Sequence, residues 1–148
     1  MGTKRKGREL ALQALYQLDV TGDSSERALA LFWANFEATE PVRAFAGELV
    51  RGVLSRRDEI DGLIREAAEN WRLERLSQVD LNVLRIAVHE LTGPERLPVE
   101  IAINEAIEVA RRFGTQESAG FVNGVLDQVA RRCGVEPQPG AKAVEDDG

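Results

Sequence analysis

The sequence predicts an all-α fold, a bundle of about seven helices, and three observations carry that expectation. Apolar residues recur at three- and four-residue spacing along nearly the whole chain. No segment alternates long enough to outweigh a helical reading. The connections are short and built from turn-forming residues, which favours antiparallel neighbours. With 148 residues, 43% of them hydrophobic and 30% charged, the chain suits one domain able to bury a real core.

Leu10, Ala14, Leu15 and Leu18 form the first apolar stripe, and Thr21-Gly22-Asp23-Ser24-Ser25 breaks it. Leu29, Phe32, Trp33 and Phe36 make a second, shorter face. Pro41 fits the first turn of a third helix, because the N–H it lacks is one that a helix start leaves unpaired anyway. Phe45, Leu49, Val53 and Leu54 give that helix its core side. The fourth is predicted through Ile60, Leu63, Ile64, Ala67, Ala68 and Trp71.

Ser77-Gln78-Val79-Asp80 reads as a capping box, the serine oxygen accepting a backbone N–H and the carboxylate reaching back to the serine's own N–H. A fifth helix follows on Leu81, Leu84, Val88 and Leu91, and Gly93-Pro94 stops it. Val99 to Asn104 alternates like a strand, whereas Ile103, Ala106, Ile107, Ala110 and Phe113 repeat like a helix. The longer pattern predicts a sixth helix. Gly114 is placed just past its end and Thr115 as the cap of a seventh helix, continued by Val122, Val125, Leu126 and Val129. The domain is bounded at residues 1–134, with a basic arm over 1–8. Residues 135–148, with two prolines and Glu145-Asp146-Asp147, are expected to be a disordered acidic tail.

A net charge of −6 argues against a general polyanion binder, but its distribution is uneven. Lys4, Arg5, Lys6 and Arg8 precede the first acid, Glu9. A basic arm on an acidic body is the asymmetry of a protein with one local nucleic-acid contact, or else of a solvated terminus. Tyr16, Phe113 and Phe121 offer aromatic planes for unstacked bases, although helical spacing equally allows them to be core.

Enzymatic chemistry finds little material. The chain has one histidine and one cysteine, which excludes a Cys/His zinc site, and it has no Gly-rich phosphate loop. His89 has no sequence partner suited to acid or base work, and Glu105 and Glu108 read as a solvated helix face. No catalytic residue, metal or cofactor is expected. No stretch approaches the roughly 20 apolar residues of a bilayer crossing, and no signal sequence is evident, so a cytoplasmic protein without membrane attachment is expected.

Three segments decide a family resemblance: Ile103-Asn104-Glu105-Ala106, Arg111-Arg112-Phe113-Gly114 and Phe121-Val122-Asn123-Gly124-Val125-Leu126-Asp127. Together with Arg8, Ala11, Gln13, Ala14, Leu15 and Tyr16, and with Asp80, Leu84, Arg85, Ala87, Glu90 and Leu91, they resemble the NusB family of transcription antitermination factors from about Arg8 to Ala130. The resemblance implies two small helical bundles packed together. It also implies binding of boxA RNA in ribosomal-RNA transcripts as a heterodimer with NusE, a small-subunit ribosomal protein, within the RNA polymerase antitermination complex.

For RNA, the resemblance implies Lys4, Arg5, Lys6 and Arg8 with a surface near Tyr16, Arg85, Phe113, Glu117 and Phe121. Glu117 would accept from a base amino group or cap the last helix. For NusE it implies Tyr16, Glu74 and Asp80; because the last two lie just before and at the start of a helix whose far face is apolar, both carboxylates are expected to be exposed. Gly7 interrupts the basic run and Gly120 supplies no basic side chain before Phe121, which points to modest RNA affinity for the chain alone. A homodimeric or purely protein-binding helical adaptor is the alternative.

Overall fold

Backbone punctuation falls close to where the turn residues stand. The computed structural model describes residues 2–68 and 71–135, and within them lie α1 (Thr3–Thr21), α2 (Glu26–Ala34), α3 (Glu40–Ser55), α4 (Arg57–Ala67), a 3₁₀ turn (Leu73–Arg75), α5 (Gln78–Thr92), α6 (Val99–Phe113) and α7 (Ser118–Arg132). No strand occurs among the described residues. Gly22 closes α1 at φ 73°, a left-handed conformation that costs glycine little. Ser25 caps α2 by accepting from the Ala28 N–H at 3.1 Å, and Pro41 sits in the first turn of α3 as predicted.

Two helical groups share one core. α1 packs along α3, with α2 against α1, while α5 contacts α4, α6 and α7. α1 and α3 both rest on α5, which joins the groups. Ala11, Ala14 and Ala46 are fully buried between α1 and α3, and Val50, Ile60, Ile64, Leu84, Val88, Leu91, Val122 and Leu126 fill the centre. A Cβ on Gly7 would stand 2.5 Å from the Phe45 ring, so the absent side chain lets α3 approach the start of α1.

Several predicted details change. α1 begins at Thr3, a full two turns before its first stripe residue Leu10, so the basic residues are helical and not a separate arm. α4 ends at Ala67 and Trp71 lies beyond it, its N–H bonded to the Ala68 carbonyl. Phe36 lies beyond α2 yet stacks on Phe32 at 4.2 Å. The capping box is half made: Ser77 Oγ accepts from the Asp80 N–H at 3.0 Å, but buried Asp80 Oδ1 has no hydrogen-bond partner among the described residues.

The last helix is capped differently too. Ser118 Oγ accepts from the Thr115 N–H at 2.9 Å and packs where a Cβ on Gly114 would stand, so the glycine serves a tight corner and not a left-handed turn. Val135, predicted in the tail, donates its N–H to the Ala130 carbonyl and packs on the core. The rest of that tail, 136–148, lies outside the described residues. No described helix is long and apolar enough to cross a membrane.

Candidate nucleic-acid interface

Helix α1 runs parallel to α6 and antiparallel to α5, and ion pairs record both registers. Arg5 donates Nε and Nη2 to the Glu105 carboxylate at 3.0 and 2.8 Å, and Arg112 donates to Glu9 at 2.9 Å one turn further along α1. On the other side Arg8 meets Glu90, while Asp19 meets Arg85 and Asn82.

The predicted basic cluster therefore divides. Arg8 is 2% exposed, held by Glu90 at 3.0 Å and Glu105 at 3.5 Å, with its guanidinium 5.5 Å from the Phe45 ring centre. It does not face solvent, which corrects its placement in a surface patch: α1 lays this position on the same face as Ala11 and Leu15, and the two carboxylates neutralise the charge there. Lys6 is exposed and Lys4 half-buried, and neither forms an ion pair with another described residue. Arg5 is 36% exposed but shares its fork with Glu105.

Arg85 is likewise corrected. Only 5% exposed, it donates Nε and Nη2 to Asp61 and Nη1 to Asp19, each within 2.9 Å, and it also reaches Asn82 Oδ1 at 3.1 Å. Burial disfavours its charge, yet the hydrogen bond and field of Asp61, then Asp19, outweigh that and raise its pKa. Arg85 thus ties α1, α4 and α5 together in the interior.

The aromatic positions stand differently. Phe113 ends α6 half-buried, with the Arg112 guanidinium 5.5 Å from its ring centre, and the same Arg112 pairs with Glu9 of α1. Glu117 is exposed at the N-terminal end of α7, makes no side-chain cap and accepts from Thr115 Oγ1 at 3.3 Å. Phe121, one turn on, is half-buried and meets Trp71 edge to face at 5.4 Å. Trp71 is 57% exposed. Reading it as a core position of the fourth helix missed this contact; the signal was the polar run Arg72, Glu74 and Arg75 after it, in which Leu73 alone is buried.

Tyr16, Glu74 and Asp80 form a second set. Tyr16 is 43% exposed, and one turn later Asp19 accepts from Asn82 Nδ2 at 3.0 Å, which brings this part of α1 to the start of α5. Glu74 is exposed on the 3₁₀ turn. Asp80 is half-buried, not exposed as expected, because the first turn of α5 folds Oδ1 inward.

His89 accepts from Arg56 at 2.9 Å through Nδ1, since a guanidinium has only donors, and this leaves the proton of the neutral ring on Nε2. A Cβ on Gly52 would overlap that nitrogen. Burial, then Arg56, lowers the histidine's pKa, with Glu59 opposing. No three His, Cys, Asp or Glu side chains among the described residues are grouped to hold a metal ion.

The profile of the NusB family matches residues 5–131, from the first turn of α1 to the end of α7. The chain belongs to the NusB family. The transcription antitermination protein NusB of Syntrophotalea carbinolica is 47% identical over 148 residues, covering 89% of this chain and 94% of the relative. That of Anaeromyxobacter sp. strain Fw109-5 is 49% identical over 140 residues, covering 93% and 96%. Among solved structures, T. maritima NusB superposes with a TM-score of 0.76 at 37% identity, over 86% of this chain and 90% of that one. A complex of antitermination factors NusB and NusE with double-stranded RNA shares the fold at a TM-score of 0.75 and 22% identity, over 88% and 97% of the two chains.

Proposed function

We propose that this chain is a non-enzymatic, cytoplasmic RNA-binding adaptor that pairs with NusE on boxA RNA and promotes read-through by RNA polymerase. One observation carries the RNA part: on an acidic molecule, Lys4 and Lys6 stand without an ion pair to another described residue, on a helix that the Glu9–Arg112 pair ties to the end of α6, where Phe113 stands. Unpaired cations are what a phosphate backbone attracts, and a neighbouring aromatic is what an unstacked base needs. Arg5, Phe113, Glu117 and Phe121 complete the RNA side. Glu74 and Asp80 form the NusE side, and Tyr16 serves both surfaces. Arg8 and Arg85 are left out because their guanidinium groups are buried and paired.

The name shared by relatives at 47% and 49% identity supports the antitermination role. Support for a binding and not a catalytic role comes from His89, whose Nδ1 lone pair is taken by Arg56 and whose Nε2 abuts Gly52. The test is binding of a boxA RNA at several salt concentrations, with and without purified NusE. Salt-sensitive binding that tightens with NusE is expected; binding of neither RNA nor NusE by the folded protein overturns the reading.

A further inference from the structure

The largest aromatic surface beside the candidate interface belongs to a residue outside every helix. Trp71 follows α4 at a bend fixed by its own N–H to the Ala68 carbonyl at 2.8 Å, and 57% of it is open to solvent. Its ring meets Phe121 at 5.4 Å with the planes 70° apart, so the pair forms an aromatic corner between the end of α4 and the start of α7.

Two further features surround that corner. Arg72 and Arg75 are exposed, and neither makes an ion pair with another described residue, although Glu74 stands between them. Gly120 and Gly124 lie before and after Phe121 on the outer side of α7, and a Cβ at either would meet nothing within 4 Å. At these two positions, therefore, no described side chain stands where a Cβ would point.

We propose that Trp71 is a base-stacking platform for single-stranded RNA, extending the Phe121 surface, with Arg72 and Arg75 meeting the adjoining phosphates. This rests on the RNA-binding reading above and adds the residues that would carry the strand past Phe121. An aromatic plane flanked by unpaired arginines suits unstacked nucleotides, because every base has a π-face and every linkage a negative charge. Phe121 backs the indole from one side by its edge-to-face contact.

The experiment uses the tryptophan itself. The chain has two, Trp33 and Trp71, so Trp33→Phe leaves Trp71 as the sole tryptophan reporter. A boxA RNA is titrated in while binding is followed independently by the anisotropy of a labelled RNA. Quenching of Trp71 emission in step with binding is expected. Trp71→Ala should weaken affinity about 5- to 150-fold with the salt slope kept, while Trp71→Phe retains most of the affinity. Arg72→Gln with Arg75→Gln should lower the slope by about 1.4.

RNA that binds the parent protein while Trp71 emission stays unchanged, or a Trp71→Phe variant that loses as much as a folded Trp71→Ala, overturns the platform and leaves RNA binding itself standing. Emission that responds to NusE and not to RNA overturns it in favour of a protein contact. Absence of RNA binding by the parent, alone and with NusE, removes both readings together. If Trp71→Ala does not fold, the Trp33→Phe titration decides by itself.

Discussion

Arg8 and Glu90 form a buried ion pair: Nε and Nη2 of the guanidinium each lie 3.0 Å from a carboxylate oxygen, with the two side chains 2% and 8% exposed. Glu105 adds a second carboxylate at 3.5 Å. Arg8→Ala takes the guanidinium away from the buried Glu90 carboxylate while Glu105 keeps Arg5, and removing one partner of a buried ion pair costs about 3–5 kcal/mol. Lys6→Ala, on the exposed neighbouring position, should stay within about 0.5 kcal/mol. Urea denaturation of the two variants measures the contrast; equal midpoints would mean that the Arg8 pair adds nothing to the fold.

His89 predicts a pH dependence of stability. Its folded pKa lies below 6.5, first through burial and then through Arg56, with Glu59 opposing. Above 6.5 it is neutral in both states and the Arg56 bond is fully present. As pH falls through 6.5 the unfolded chain takes up the proton first, so stability declines down to the folded pKa. Lys4, Glu48, Glu95 and Arg96 also line this cleft and add their own charge to the profile. His89→Gln should flatten the acid-side loss relative to the parent in denaturation curves taken between about pH 7 and pH 5.

Helix identity was legible because apolar spacing is a local property: α5 and α6 run where Leu81 to Leu91 and Ile103 to Phe113 place them. The ends were less so: Trp71 fits a helical pattern whose continuation depends on packing, and Thr115, read as a cap, instead donates its N–H to Ser118 Oγ. The buried arginines were misread for a different reason. Residue type sends a charge to the surface, and the partners that bring Arg8 inward lie 82 and 97 positions away. A signal was present: Arg8 shares a helical face with Ala11 and Leu15, and Arg85 shares one with Leu81 and Val88. An arginine within an apolar stripe calls for a distant carboxylate, which spacing alone does not name.

Glu74 separates the protein partner from the fold. It is exposed on the 3₁₀ turn and makes no ion pair with another described residue, whereas Asp80 is half-buried and its N–H engages the Ser77 cap. Glu74→Lys is therefore expected to leave stability within about 0.5 kcal/mol while weakening NusE binding through charge repulsion. Calorimetric titration of NusE into the variant tests this. Unchanged affinity in a folded Glu74→Lys protein removes this turn from the partner surface.

Lys4 and Lys6 carry the sharpest test of the RNA surface. Arg8 is committed to the interior and Arg5 to Glu105, so the phosphate attraction assigned to the start of α1 falls on these two lysines. If each neutralises one phosphate of a single strand, replacing both with alanine should lower the log-log salt slope by about 1.4 and weaken binding most at low salt. Phe121→Ala should do the reverse, costing about 1–3 kcal/mol of RNA affinity with little change in slope, because stacking releases no counterions. Neither lysine enters the core or the Tyr16 and Glu74 surface, so NusE affinity should persist in the double variant. A folded Lys4→Ala, Lys6→Ala protein whose RNA affinity and salt slope both match the parent would show that the basic turn is only solvated.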